Sequence, residues 1–81
     1  MDVRTFLREH RKNPSEIEQV ALAAQTTVAY LQQLAGGYRL PSAKLTLALE
    51  RASGRRMTRY ELRPDLYPID DAVERSAERV G

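Results

Sequence analysis

The architecture of this chain depends on residues 17–36, which read IEQVALAAQTTVAYLQQLAG. Apolar residues recur at intervals of three and four on both sides of Gln25-Thr26-Thr27, which predicts two helices joined by a short break. Ala21 supplies a small side chain where two helices cross closely. The side chains expected to face one shared core are Val20, Ala24, Leu31 and Leu34. The segment therefore predicts a packed helix pair.

Start and stop signals divide the rest of the chain into further short helices. The predicted helices span about 3–12, 16–24, 27–35, 43–53, 59–63 and 71–80, with N-caps at Asp2, Ser15 (a capping box with Glu18), Thr26 or Thr27, Ser42, Thr58 and Asp70. Pro14, Gly36-Gly37 and Gly54 act as the stops between them. No stretch shows the alternation of β-branched residues that is typical of strands. The fold class is therefore all-α, with four to six short helices.

The apolar residues of each predicted helix define the expected core. The inward positions are Val3, Phe6, Leu7 and His10 in the first helix, Ile17, Val20, Ala21 and Ala24 in the second, Leu45, Ala48, Leu49 and Ala52 in the fourth, and Leu62, Leu66 and Tyr67 near the end. The helix over 71–80 has only a thin apolar stripe. We expect it to be frayed or to be stabilised by a partner chain.

Length and composition limit the classes of function. The chain has 81 residues, 42% hydrophobic and 30% charged, which suits one small globular domain. It has no apolar run long enough for a membrane span, no apolar signal core at its charged N-terminus, no cysteine and one histidine. We therefore expect a cytoplasmic domain without metal or cofactor. No paired carboxylates, nucleophile–base arrangement or phosphate-cradling glycine loop is visible, so the sequence does not predict an enzyme.

Charge is distributed unevenly along the chain. Residues 43–63 contain six Lys/Arg and two acids, a net charge of +4, whereas residues 64–81 contain five acids and two arginines, a net charge of −3. We therefore divide the chain into a basic body over 1–69 and an acidic helix or tail over 70–81. Basic stretches favour a polyanionic partner, because attraction to phosphates supplies most non-specific nucleic-acid binding. The alternative is that Arg55, Arg56 and Arg59 simply form a solvated face.

The segment 17–36 resembles the helix-turn-helix of phage repressors of the Cro and CI type. It departs from that pattern at two turn positions, since Gln25 stands where glycine is usual and Thr26 stands where an apolar residue is usual. A glutamine in the left-handed conformation costs roughly 1 kcal/mol relative to glycine. The resemblance implies that the helix over 27–35 enters the major groove of DNA.

Further motifs extend this resemblance over residues 15–69. The chain has a helix ending in Gly36-Gly37, then Arg39-Leu40-Pro41-Ser42, Leu49-Glu50-Arg51-Ala52 and Leu62-Arg63-Pro64-Asp65. These motifs are similar to those of the prophage-encoded YdaS family of Cro-like regulators, which are often labelled antitoxins. The family implies a DNA-binding transcriptional repressor. We expect it to act as a homodimer on a palindromic operator, because one helix-turn-helix reads only a few base pairs.

The resemblance also implies which side chains contact DNA. Base edges would be read by Thr27, Val28, Ala29, Gln32 and Gln33, with Tyr30 at the edge of that face, and phosphates would be held by Thr26, Tyr38, Arg39, Ser42 and Lys44. The N–H groups at the starts of the second and fourth helices are further anion sites.

Several alternatives stay open at this point. Gln32 and Gln33 can be merely exposed, and Tyr38 can be a lid over the core. The fold can also serve as a protein-binding module, either an antitoxin or a phage inhibitor of a host protein. In a third alternative the acidic tail folds over the basic body. The dimer contacts are expected at the end of the fourth helix, in 57–69 or in 71–80.

Overall fold

Five helices form within residues 1–68, which are the residues that the computed structural model describes. They are α1 (Val3–Glu9), α2 (Pro14–Ala23), α3 (Val28–Ala35), α4 (Ala43–Ala52) and α5 (Arg59–Leu62). No strand occurs in this part of the chain, so the all-α prediction is confirmed for it. The predicted helix over 71–80 and its cap at Asp70 lie outside the described residues.

Side-chain caps fix where four of these helices begin. The side chains of Asp2, Thr27 and Ser42 accept hydrogen bonds from the backbone N–H three residues ahead, at 2.8–3.1 Å. Thr58 and Glu61 form a reciprocal capping box at α5. The caps predicted at these positions are confirmed, with Thr27 rather than Thr26 capping α3.

Two predicted boundaries were wrong. The capping box of Ser15 and Glu18 does not form, because α2 begins at Pro14 with Asn13 as its N-cap. The proline ring fixes φ near the helical value. The N–H that proline lacks would have no partner in the first turn of a helix, so Pro14 can start a helix as well as stop one. The first helix ends at Glu9 rather than near residue 12, because the chain turns at 10–12 toward Pro14.

The core lies between α1, α2, α3 and α4. Its buried apolar side chains are Val3, Phe6, Ile17, Val20, Ala21, Ala24, Leu31, Leu34, Leu49, Met57 and Leu62. Every residue expected to face inward from α2 is among them. Leu45, Ala48 and Ala52 are only partly buried, and the expectation for Leu66 was wrong, since 45% of it is exposed. Met57 was not predicted, although it is fully buried.

A polar cluster ties α1 to the segment after α4. Arg56 donates to Nε2 of His10 at 2.9 Å, forms an ion pair with Glu16 and lies 5.4 Å from the centre of the Phe6 ring. The other ring nitrogen of His10 lies 2.9 Å from the carbonyl oxygen of Phe6. Residues from three parts of the chain are thereby held over one edge of the core.

None of the helices within residues 1–68 has both the length and the apolar composition needed to cross a bilayer.

Candidate nucleic-acid interface

The turn between α2 and α3 is set by one residue in the left-handed conformation. Gln25 has φ 59°, and the next N–H, that of Thr26, bonds the carbonyl of Ala21 at 2.8 Å. Thr27 then returns to extended backbone and caps α3. The helix pair thus changes direction at the residue where the sequence analysis placed the left-handed turn.

Helix α3 has one buried and one exposed face. Leu31 is fully buried and Leu34 is nearly so, and both pack in the core that Val20 and Ala24 also line. Ala29, Gln32 and Gln33 are exposed within α3, and Thr27 is exposed at its N-cap. Val28 and Tyr30 are half-buried and pack against the edge of the core. Four of the five side chains expected to read bases are therefore exposed, whereas Val28 is only partly available.

The loop after α3 folds back onto the end of that helix. Gly37 has φ 79°, a conformation that favours glycine, and the N–H of Tyr38 bonds the carbonyl of Gln33 at 3.1 Å. The loop brings the Nε of Arg39 to 3.1 Å from the Oε1 of Gln33. A residue expected at a phosphate and a residue expected at a base are therefore hydrogen-bonded to each other.

Tyr38 lies outside the core. Its side chain is 84% exposed, so it is not the lid that the sequence left open. The ring lies across Gly36, where a Cβ atom would come within 2.6 Å of it. The phenol is accordingly presented to solvent beside the end of α3.

A groove of about 660 Å³ separates the turn from α4. Thr26, Ser42 and Lys44 line it together with Gln25 and Tyr30. The Ser42 hydroxyl caps α4, and the ammonium of Lys44 has no ion-pair partner within residues 1–68. Three of the expected phosphate contacts are thus gathered along this groove.

Arg51 lines the same groove and was missed by the sequence analysis. It lies on α4 seven residues after Lys44, so the two cations are two turns apart on one helix face. That spacing is the signal that could have identified it. Exposed cations near the α2–α3 unit thus include Arg39, Lys44 and Arg51, and also Arg11, which lines a pocket with Val28 and Gln32.

Arg55 and Arg56 are exposed, as the alternative of a solvated face expected, whereas Arg59 is partly buried, so that alternative was wrong for Arg59. Arg56 is engaged in the polar cluster with Glu16. Arg59 donates to Glu50 at 2.8 Å and lies 5.5 Å from the centre of the Tyr67 ring. The guanidinium of Arg59 lowers the pKa of the Glu50 carboxyl, because it stabilises the charged form through these hydrogen bonds.

No protein-family model, curated protein or solved structure matches this chain. Within residues 1–68 there is also no group of three or more His, Asp or Glu side chains that could hold a metal ion.

Proposed function

We propose that this protein is a sequence-specific DNA-binding transcriptional repressor of the phage or prophage type. Helix α3 reads base edges in the major groove, and the residues around it hold the phosphates. The observation that carries the proposal is the exposed polar face of α3. Helix α3 packs against α2, and the turn that joins them contains Gln25 in the left-handed conformation. A Cro-like or YdaS-like identity belongs to the same proposal.

The distribution of charge supports this assignment. Helix α3 contains no charged residue, so any base contacts from it are made by uncharged side chains. The cations flank it, with Arg39 beyond its C-terminal end and with Lys44 and Arg51 along the α4 groove. When a helix enters the major groove, the DNA phosphates lie on both sides of it. Positive charge is therefore needed at the flanks of the helix. Gln32 and Gln33 supply amides that can donate to and accept from bases.

We propose that the protein binds its operator as a homodimer. A single short helix reads only a few base pairs, so useful specificity requires two half-sites about one helical turn apart. Leu66 is 45% exposed and lies in the segment expected to form part of the dimer contact.

The test is fluorescence anisotropy with the duplex upstream of the protein's own gene and with a scrambled duplex of equal length. Each protomer that places Arg39, Lys44 and Arg51 on three phosphates contributes a loss of about 40-fold between 50 and 200 mM salt, so a homodimer with six such contacts should lose about 1,800-fold in affinity. Wild type should prefer the native duplex by about 100-fold or more. Gln33→Ala should reduce that preference, whereas Gln19→Ala, a matched change on the exposed face of α2, should not. Absence of binding to either duplex at low salt would overturn the proposal.

A second candidate is a protein-binding module on the same scaffold. It is favoured by large apolar side chains on the surface, since Leu22 is 78% exposed and Leu40 is 69% exposed. An apolar protein interface depends only weakly on salt, in contrast to phosphate binding. Substituting Leu22 and Leu40 with serine separates the two, because binding to a toxin or host protein should then fail while binding to DNA persists.

A further inference from the structure

The hydrogen bond between Arg39 and Gln33 determines which way the glutamine amide is turned. The Nε of Arg39 can only donate, so the atom of Gln33 that faces it at 3.1 Å must be the oxygen. The NH2 group of Gln33 is then left with no hydrogen-bond partner within residues 1–68. Both side chains are exposed, at the end of α3 and in the loop that follows.

Arg39 uses one edge of its guanidinium for this bond. Its two Nη groups make no hydrogen bond or ion pair with any other residue in the part of the chain that the structure describes. Two Nη groups on one planar fork match a phosphate. Arg39 can therefore bind a phosphate and hold Gln33 at the same time.

We infer that Arg39 and Gln33 act as one recognition unit that couples a phosphate contact to the reading of one base. Arg39 is a positioning residue, because it fixes the amide of Gln33 with the nitrogen free to donate. The unit reads a base that presents an acceptor in the major groove. Guanine, adenine and thymine present one, whereas cytosine presents only its N4 amino donor. This inference rests on the proposed DNA-binding function.

The inference separates Arg39 from an ordinary phosphate contact. When an arginine only neutralises a phosphate, its removal lowers the affinity for all DNA sequences by the same factor. Arg39→Ala should instead lower affinity and also abolish the base preference at the position that Gln33 reads. Arg39→Lys should keep the salt dependence, because the charge remains, and should lose most of the preference, because lysine has no separate Nε donor.

The experiment selects binding sequences from a library of duplexes with a randomised centre and sequences the bound fraction at two salt concentrations. Variants Gln33→Ala, Gln33→Glu, Arg39→Ala, the Gln33→Ala/Arg39→Ala double variant and Arg39→Lys are compared with wild type. Lys44→Ala is the control for a plain phosphate contact, and Gln32→Ala is the control for a neighbouring exposed amide. Circular dichroism establishes that each variant is folded.

In the expected result, wild type disfavours cytosine at one position by roughly tenfold, the size of one good base contact. Arg39→Ala and Gln33→Ala each remove that preference, and the double variant loses no more than either. Gln33→Glu keeps an acceptor for Arg39 and replaces the donor with a second acceptor, so the preference at this position should turn toward cytosine.

Two other results overturn the inference and can be told apart. If Arg39→Ala lowers affinity uniformly and leaves every base preference intact, Arg39 is only a phosphate contact and the DNA-binding proposal survives. If wild type enriches no sequence and binds no duplex at low salt, the proposed function itself fails and the recognition unit fails with it.

Discussion

Gln25 is a residue in a conformation that its own side chain disfavours. At φ 59° the Cβ of an L-residue crowds the backbone, which costs roughly 1–2 kcal/mol, and glycine avoids this cost. The side chain is exposed, so it adds little packing in return. Such a position persists because the buried residues on both sides of the turn fix the helix crossing.

Gln25→Gly should therefore stabilise the protein by about 0.5–1 kcal/mol, somewhat less than the conformational cost, because glycine loses more entropy on folding. Thermal unfolding should shift upward by about 2–8 °C. Gln25→Ala, which keeps the Cβ, is the matched control and should give no gain. A glycine variant no more stable than the alanine variant would show that the turn is unstrained.

Thr46 carries the one fully buried side-chain oxygen without a hydrogen-bond partner in residues 1–68. A buried hydroxyl left unpaired costs about 1–3 kcal/mol relative to a paired one. Thr46→Val keeps the shape and removes the hydroxyl, so the free energy of unfolding should rise by about 1 kcal/mol in urea titrations. Thr46→Ser, which keeps the hydroxyl and removes a methyl group, should lower it. A less stable valine variant would mean that the hydroxyl is paired in solution.

At the scale of the element, α5 shows how one turn of helix is held. It spans only Arg59–Leu62, too short to be stable alone. The capping box of Thr58 and Glu61 closes its first turn, and Glu50 on α4 accepts from both the backbone and the side chain of Arg59 at 2.8–3.1 Å. Most of the Glu50 side chain is buried. Helix α5 is therefore stabilised by its capping box and by its contacts with α4.

Glu50→Gln should lower the free energy of unfolding by about 1.5–3 kcal/mol, because it weakens charge-assisted hydrogen bonds that are largely shielded from water. Glu18→Gln is the control, since Glu18 is exposed on α2 and should change stability by about 0.5 kcal/mol or less. Equal effects of the two substitutions, measured by urea unfolding at pH 7, would contradict a clamp at α5.

At the scale of the whole molecule, three ion pairs within residues 1–68 connect carboxylates to Arg56, Arg59 and Arg63. Arg56, Arg59 and Arg63 lower the pKa values of Glu16, Glu50 and Asp65, mainly through side-chain hydrogen bonds to the charged carboxylates. The pKa of Asp65 falls to about 2. Arg63 also donates to the carbonyl of Pro41, so this pair fastens the end of the described chain to the loop before α4.

Stability should therefore fall in acid. A carboxylate with a lowered pKa in the folded state stabilises the fold above its unfolded value, near 4.5 for Glu and 3.8 for Asp, and this contribution is lost as the pH falls through the folded value. Urea unfolding should show constant stability from pH 7 to about 5 and a steady loss from about 4.5 toward 2. The free energy of unfolding of Glu50→Gln should fall less between pH 5 and pH 2 than that of wild type. Stability that is unchanged or higher at pH 3 would contradict the role of these pairs.

The local sequence was sufficient for the number of helices in residues 1–68 and for most of their caps. Caps at Asp2, Thr27, Ser42 and Thr58 act on N–H groups three residues away, and the helix-turn-helix pattern that residues 17–36 resemble implied the left-handed residue at Gln25. These features depend on residues that are close together in the chain, so the sequence alone contains the information that determines them. The start of α2 was missed because Pro14 can either stop one helix or begin the next, and only the path of the chain after α1 selects between them.

The relations between distant residues came only with the tertiary structure. The burial of Met57, the pairing of Arg56 with Glu16 and the groove shared by Lys44 and Arg51 all depend on how the helices pack. The bond between Arg39 and Gln33 depends on the loop that returns past Gly37. Sequence patterns determined which side chains each helix presents to the core and which to solvent, because residue type and the helical period define the two faces of a helix. Packing decided which side chains meet, because contacts across the fold depend on the path of the whole chain.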